Sequence, residues 1–167
     1  MLSIVSFTNN GKELAHRVKE AVDGSEEVIC VNVHNNSCRD KKHVQDIHGF
    51  VKKQFDEHTA LLFIGATGIA VRLIAPYIKD KLSDIPVVVM DEGGRYVIPI
   101  LSGHVGGANA LAVRLAKLIG AIPVITTATD INSAFAIDSF AVDNKLNIVN
   151  RDGIAKVSSK VLDGKTV

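Results

Sequence analysis

Residues 96–120 read YVIPILSGHVGGANALAVRLAKLIG, a strand pattern, a glycine-rich turn and a helix pattern in direct succession. The apolar run at 96–101 suits a strand. Beyond the turn, Ala108, Leu111, Ala112, Leu115, Leu118 and Ile119 fall on one helical face, and Gly120 stands where a helix ends best on glycine. Between them lies Ser102-Gly103-His104-Val105-Gly106-Gly107-Ala108-Asn109, with three glycines in five positions. Such a backbone can take positive φ and approach another molecule closely. The helix that follows is expected to offer unpaired N–H groups and the positive end of its dipole to a carboxylate or phosphate. His104 stands inside this loop, placed to meet a ligand; the plainer reading is a tight turn with an exposed histidine.

Working outward, the same strand-then-helix order recurs. An apolar run at 2–7 gives way to Thr8-Asn9-Asn10-Gly11 and then to Leu14, Ala15, Val18, Ala21 and Val22 at helical spacing. A second strand is predicted at 28–33, followed by a helix through Val44, Ile47, Phe50, Val51 and Phe55. The run 60–64 is a third strand, leading into Gly65-Ala66-Thr67-Gly68 and a helix that Pro76 ends or kinks. Asp91-Glu92-Gly93-Gly94 is a hairpin-length link between strands at 87–90 and 96–101. Pro99 places a bulge or an edge in the second of these. A last strand is expected at 122–125, with helical patterning again at 137–142 and through Ile154, Val157, Val161 and Leu162.

This alternation predicts an α/β three-layer sandwich with a mostly parallel sheet and one antiparallel hairpin. Ligands of such sheets bind beyond the carboxyl ends of the strands. The loops at 65–68, 102–109 and 126–130 each follow a predicted strand, so parallel strands would bring all three to one edge. The hairpin then poses a choice: if 87–90 is the reversed strand, Asp91 and Glu92 move to the opposite edge.

A length of 167 residues, 47% hydrophobic and 22% charged, fits a compact domain, or one domain and part of another. The formal charge of +1 and a single basic cluster at 39–43 leave nucleic acid an unexpected partner. No apolar stretch approaches a membrane span, there is no basic leader, and Cys30 and Cys38 lack metal-ligand spacing, so a cytoplasmic protein is expected.

Neither a P-loop nor a dinucleotide fingerprint is present. What remains is two glycine loops, the hydroxyls of Thr126, Thr127 and Thr129 beside Asp130, and Arg72 one turn into its helix, within reach of a carboxylate at the Gly65 loop. Together they suit a substrate with several carboxylates. Imidazole transfers protons near neutrality, so His104 is the candidate acid/base, with Asp91 and Glu92 in reserve. Solvated turn carboxylates and threonine caps are the ordinary alternatives for the acidic and hydroxyl residues.

GATGIAVRLIA at 65–75, DEGGR at 91–95, LSGHVGGAN at 101–109 and PVITTATD at 123–130 resemble the cobalamin-biosynthesis protein G family over about residues 60–143. The resemblance implies a cobalt-precorrin-5A hydrolase of anaerobic vitamin B12 synthesis, which opens the δ-lactone on ring A and expels acetaldehyde. It implies a cobalt-precorrin substrate and no cofactor of the protein's own, the cobalt arriving with the substrate. His104 is then the general base or a ligand to that cobalt. Gly65, Thr67, Gly68, Arg72, Ser102, Gly103, Gly106, Gly107, Asn109, Thr126, Thr127, Thr129 and Asp130 would hold substrate carboxylates or the oxyanion. Residues 1–145 would form the N-terminal domain and 146–167 the start of a segment leading to a C-terminal half, the other expected partner. A corrinoid- or nucleotide-binding module without catalysis, and a homo-oligomer, stay open.

Overall fold

The computed structural model describes residues 1–22, 24, 27–33, 46–80, 83–131, 137, 140, 141, 144, 146–150 and 152–165. The basic cluster at 39–43 and Cys38 lie outside them, as does part of the helical pattern expected at 137–142. Two compact units are present, Met1–Val124 and Ile125–Val167, so the boundary expected at 145 falls inside the second.

In the first unit the elements run β1 (Leu2–Ser6), α1 (Asn9–Ala21), β2 (Val28–Asn32), α2 (Ile47–Asp56), β3 (Ala60–Ile64) and α3 (Thr67–Ile74). A 3₁₀ turn (Ala75–Tyr77) follows, then β4 (Val87–Met90), β5 (Tyr96–Leu101), α4 (Ala108–Ile119) and β6 (Ile122–Pro123). The second unit contains α5 (Ala128–Ile131) and α6 (Asp152–Leu162), which touch each other. The first two helices have a local cause. The Thr8 hydroxyl caps α1 by accepting from Gly11 N at 3.0 Å, and the Asp46 carboxylate caps α2 by accepting from Gly49 N at 2.9 Å. Pro76 falls in the 3₁₀ turn, where α3 stops as its sequence requires.

The six strands form one sheet in the order β2-β1-β3-β4-β5-β6. Val5, Leu61, Phe63, Val87 and Val89 build one core layer with Val51 of α2 and Leu73 and Ile74 of α3. Alternate residues project to the other face, where α1 and α4 pack on the strands and on each other. Burial on both faces explains why the central strands read as continuous apolar runs. Within this core the Ser3 hydroxyl donates to Gln54 Oε1 at 2.7 Å, which satisfies the one long polar side chain that α2 turns inward.

The sheet is parallel from β2 through β4, antiparallel between β4 and β5, and parallel again between β5 and β6. The reversed strands are therefore β5 and β6, not β4. A helical crossover joins β3 to β4 and demands a parallel neighbour, so the tight hairpin after β4 is what turns the chain around. As a result Asp91 and Glu92 share the edge of the Gly65 loop, and the 102–109 loop lies at the opposite one. The expectation that the glycine loops share an edge is corrected. Beside Pro99 the β4–β5 register slips, Val87 facing Leu101 while Val88 faces Pro99. This is a bulge, one of the two outcomes Pro99 predicts. The next β5 residue required to donate to β6 is Pro99, which has no N–H, so β6 stops at two residues where four were expected.

Candidate functional site

The carboxyl ends of β1, β3 and β4 make the first edge. Because β2 lies on one side of β1 and β3 on the other, the chain changes direction of winding between β1 and β3, the place where sheets of this kind hold ligands. Gly65 sits there with φ 150°, its N–H donating to Met90 O at 2.9 Å, and a Cβ on it would come within 3.1 Å of the Phe7 ring. Glycine is thus required by the turn itself. Thr67 and Gly68 open α3 exposed to solvent, and the residue before them, Ala66, has no side chain to cap the helix. Arg72 folds back along its own helix, Nη1 donating to Gly68 O at 3.2 Å.

The hairpin completes this edge. Asp91 accepts from the backbone N–H groups of Gly93, Arg95 and Tyr96 at 3.1, 2.9 and 2.6 Å, with Arg95 Nε 3.7 Å from its second oxygen. Its carboxylate organises the turn. Glu92 accepts from the Thr8 hydroxyl, the same oxygen that caps α1, while Asn32 Nδ2 donates to Thr8 O at 3.3 Å. Thr8 and Asn32 belong to this edge and were not among the candidates. Residues 7–11 lead from strand into helix as 65–68 do, which was the available signal; the adjacency of β1 and β3 was not.

The second edge holds the His104 loop. Ser102 has φ 55°, a left-handed conformation costing a branched or bulky residue about 1–3 kcal/mol. The loop turns its carbonyls onto the start of α4: Ala108 N donates to Ser102 O and Asn109 N to Gly103 O, each at 3.0 Å, and Gly107 N to His104 O at 2.9 Å. The expected cradle of unpaired amides is therefore corrected, since these donors are taken up by the loop itself. Its glycines divide the same way. A Cβ on Gly103 would stand 2.8 Å from Asn109 Oδ1 and one on Gly106 2.4 Å from Ser102 Cβ, whereas one on Gly107 meets nothing within 4 Å, although its φ is 83°. Gly103 and Gly106 admit the loop to itself; Gly107 alone faces open space. His104 is half-buried, and Asp84, absent from the sequence candidates, lies buried beneath the loop.

Thr126, Thr127, Thr129 and Asp130 belong to the second unit, with Thr126 exposed and Thr127 half-buried. Among the described residues no group of three His, Cys, Asp or Glu side chains is gathered for a metal ion, and no helix is long and apolar enough to cross a membrane. The five residues of β3 separate the two edges by roughly 15 Å. One small ligand does not span them.

Residues 49–130 match the family described as Cobalamin synthesis G N-terminal. The cobalt-precorrin-5A hydrolase of Salmonella typhimurium is 60% identical over 90 residues, 54% of this chain and 26% of its own length. That of Priestia megaterium is 31% identical across 99% of this chain and 45% of its own. A solved structure described as a cobalamin biosynthesis protein G homolog from Sulfolobus solfataricus superposes with a TM-score of 0.55 at 24% identity, over 97% of this chain and 46% of that one, and shows the shared fold. The chain spans less than half the length of these relatives. Over residues 49–130 the chain is similar to the cobalamin synthesis G N-terminal family.

Proposed function

We propose that this chain contributes the acid/base group of a cobalt-precorrin-5A hydrolase, the activity named for its Salmonella and Priestia relatives. The observation that carries the reading is that the family match at 49–130 contains both glycine loops and His104. In this reading a water molecule adds to the ring A lactone carbonyl while the imidazole of His104 takes its proton. The proton then passes to the departing ring oxygen, which leaves a carboxylate and a hydroxyethyl group. When that hydroxyl gives up its proton, the carbon–carbon bond to the ring breaks. The electron pair stays on the ring carbon and is protonated there, and the two carbons leave as acetaldehyde. Gly107 is the glycine past which the macrocycle approaches, because a Cβ there would enter open space. The protein brings no cofactor; cobalt comes with the substrate, and the reaction belongs in the cytoplasm. A loop at a sheet edge covers only one face of a flat macrocycle, and hydrolytic sites need the other face closed against bulk water. The further length of the relatives supplies that second wall.

The test uses cobalt-precorrin-5A, following the visible spectrum and acetaldehyde together. The chain should shift the corrinoid bands and release acetaldehyde more slowly than the Priestia megaterium hydrolase. His104→Ala should lower that rate by about 10² to 10⁴-fold, the usual contribution of a positioned acid/base. A band shift lost in His104→Ala would make the imidazole a cobalt ligand in place of a base. Wild-type spectrum and rate in His104→Ala would end both roles.

A further inference from the structure

We infer that Ser102 and Asp84 are positioning residues for His104: the Ser102 hydroxyl, tied to the Asp84 carbonyl, holds the 102–109 loop in the conformation that presents the imidazole. The inference rests on the reading of His104 as the acting group. Ser102 takes a backbone conformation that residues with a Cβ rarely adopt, at φ 55°, and such a conformation persists only where its surroundings impose it. Three contacts do so. Ser102 Oγ donates to Asp84 O at 2.7 Å, committing its single proton. Ser102 O accepts from Ala108 N at 3.0 Å, closing the first turn of α4. The Gly106 backbone doubles back so closely that a Cβ there would stand 2.4 Å from Ser102 Cβ and 3.2 Å from Asp84 O.

The anchor is itself fixed. Asp84 is 7% exposed, its carboxylate accepts from Lys79 N at 2.9 and 3.3 Å, and its N–H donates to Asp80 O at 2.8 Å. His104 therefore sits between two points, Ser102 and Gly106, both pinned to the lead-in of β4. Ser102 acts through the loop, and the substrate contact expected of its hydroxyl is replaced by this internal bond.

Ser102→Ala and Ser102→Gly test the inference by amide hydrogen exchange and by the NMR signal of the His104 ring. Loss of one hydrogen bond should speed exchange at Ala108 and Asn109 about fivefold in both variants, with β1 and β3 exchanging as in wild type. The His104 Cε1–H resonance should move, which a purely structural role would not require. Glycine accepts positive φ freely, so Ser102→Gly keeps the experiment meaningful if Ser102→Ala fails to fold. Wild-type exchange with an unmoved imidazole would overturn the inference. So would a Ser102→Gly protein matching wild type, since backbone conformation alone would then set the loop. If His104→Ala leaves the corrinoid spectrum and acetaldehyde release unchanged, the functional reading fails, while the exchange rates still decide whether Ser102 holds the loop.

Discussion

The Gly65 loop and the His104 loop look alike as sequence, each a glycine-rich link from strand to helix, yet they lie at opposite ends of the sheet and use their backbones differently. At the Gly65 edge α3 follows Ala66 as its N-cap, and Ile69 N donates to Ala66 O at 3.0 Å, a bond within a single turn. At the His104 edge the first amides of α4 are already bonded to Ser102 O and Gly103 O. Glycine content alone does not say whether room is made for a ligand or for the loop's own return. The difference lies in what occupies the missing Cβ position.

Substitutions at single glycines sharpen this contrast most. Gly106→Val should cost about 3 kcal/mol of unfolding free energy in a urea titration, because its side chain would displace Ser102 and press on the Asp84 carbonyl. A loss under about 1 kcal/mol would mean that the loop yields easily and that its packing does not separate the two edges. Next comes Asp91→Ala at the other edge, expected to lower stability by about 2 kcal/mol as three hairpin amides lose their acceptor. An unchanged urea midpoint would leave Asp91 free for the acid/base role its residue type allows.

Gly107→Ala is milder, since its Cβ meets nothing and only the positive φ penalises it, by about 1 kcal/mol. Its corrinoid affinity should nevertheless fall more than its stability does, and the reverse order would remove Gly107 from the binding face. The smallest effect is expected at Lys52 and Asp56. The Lys52 ammonium, 2.8 Å away, holds the Asp56 carboxyl below its ordinary range. A lowered carboxylate contributes stability above its unfolded pKa and loses it as pH falls through the folded one. Both groups are largely exposed, so solvent screens the pair, and wild type and Asp56→Asn should keep indistinguishable urea midpoints from neutral to acid pH.

Periodicity located β3, β4, β5 and α4 with the bounds the structure has, because apolar spacing records which face each residue buries. Strand direction is different, since an alternating pattern reads the same from either end. The helix between β3 and β4 carried the missing information: a crossover that long joins parallel strands, and this makes β5 the reversed one. His104 and the glycines were legible as a loop before a helix. Asp84 was not, because it acts through its backbone carbonyl, an atom every residue type has. Thr8 was visible only as part of the turn into α1, and its link to Glu92 joins residues 84 positions apart and depends on β1, β3 and β4 lying side by side.

Pro99 reaches beyond the ladder it cuts short. A growing sheet recruits a stray strand through a continuous row of donors and acceptors, and β5 breaks that row in its middle. The bulge beside Pro99 further twists the strand away from the straight geometry that an incoming segment would need. Pro99 thereby disfavours edge-to-edge pairing along the part of β5 that β6 leaves uncovered.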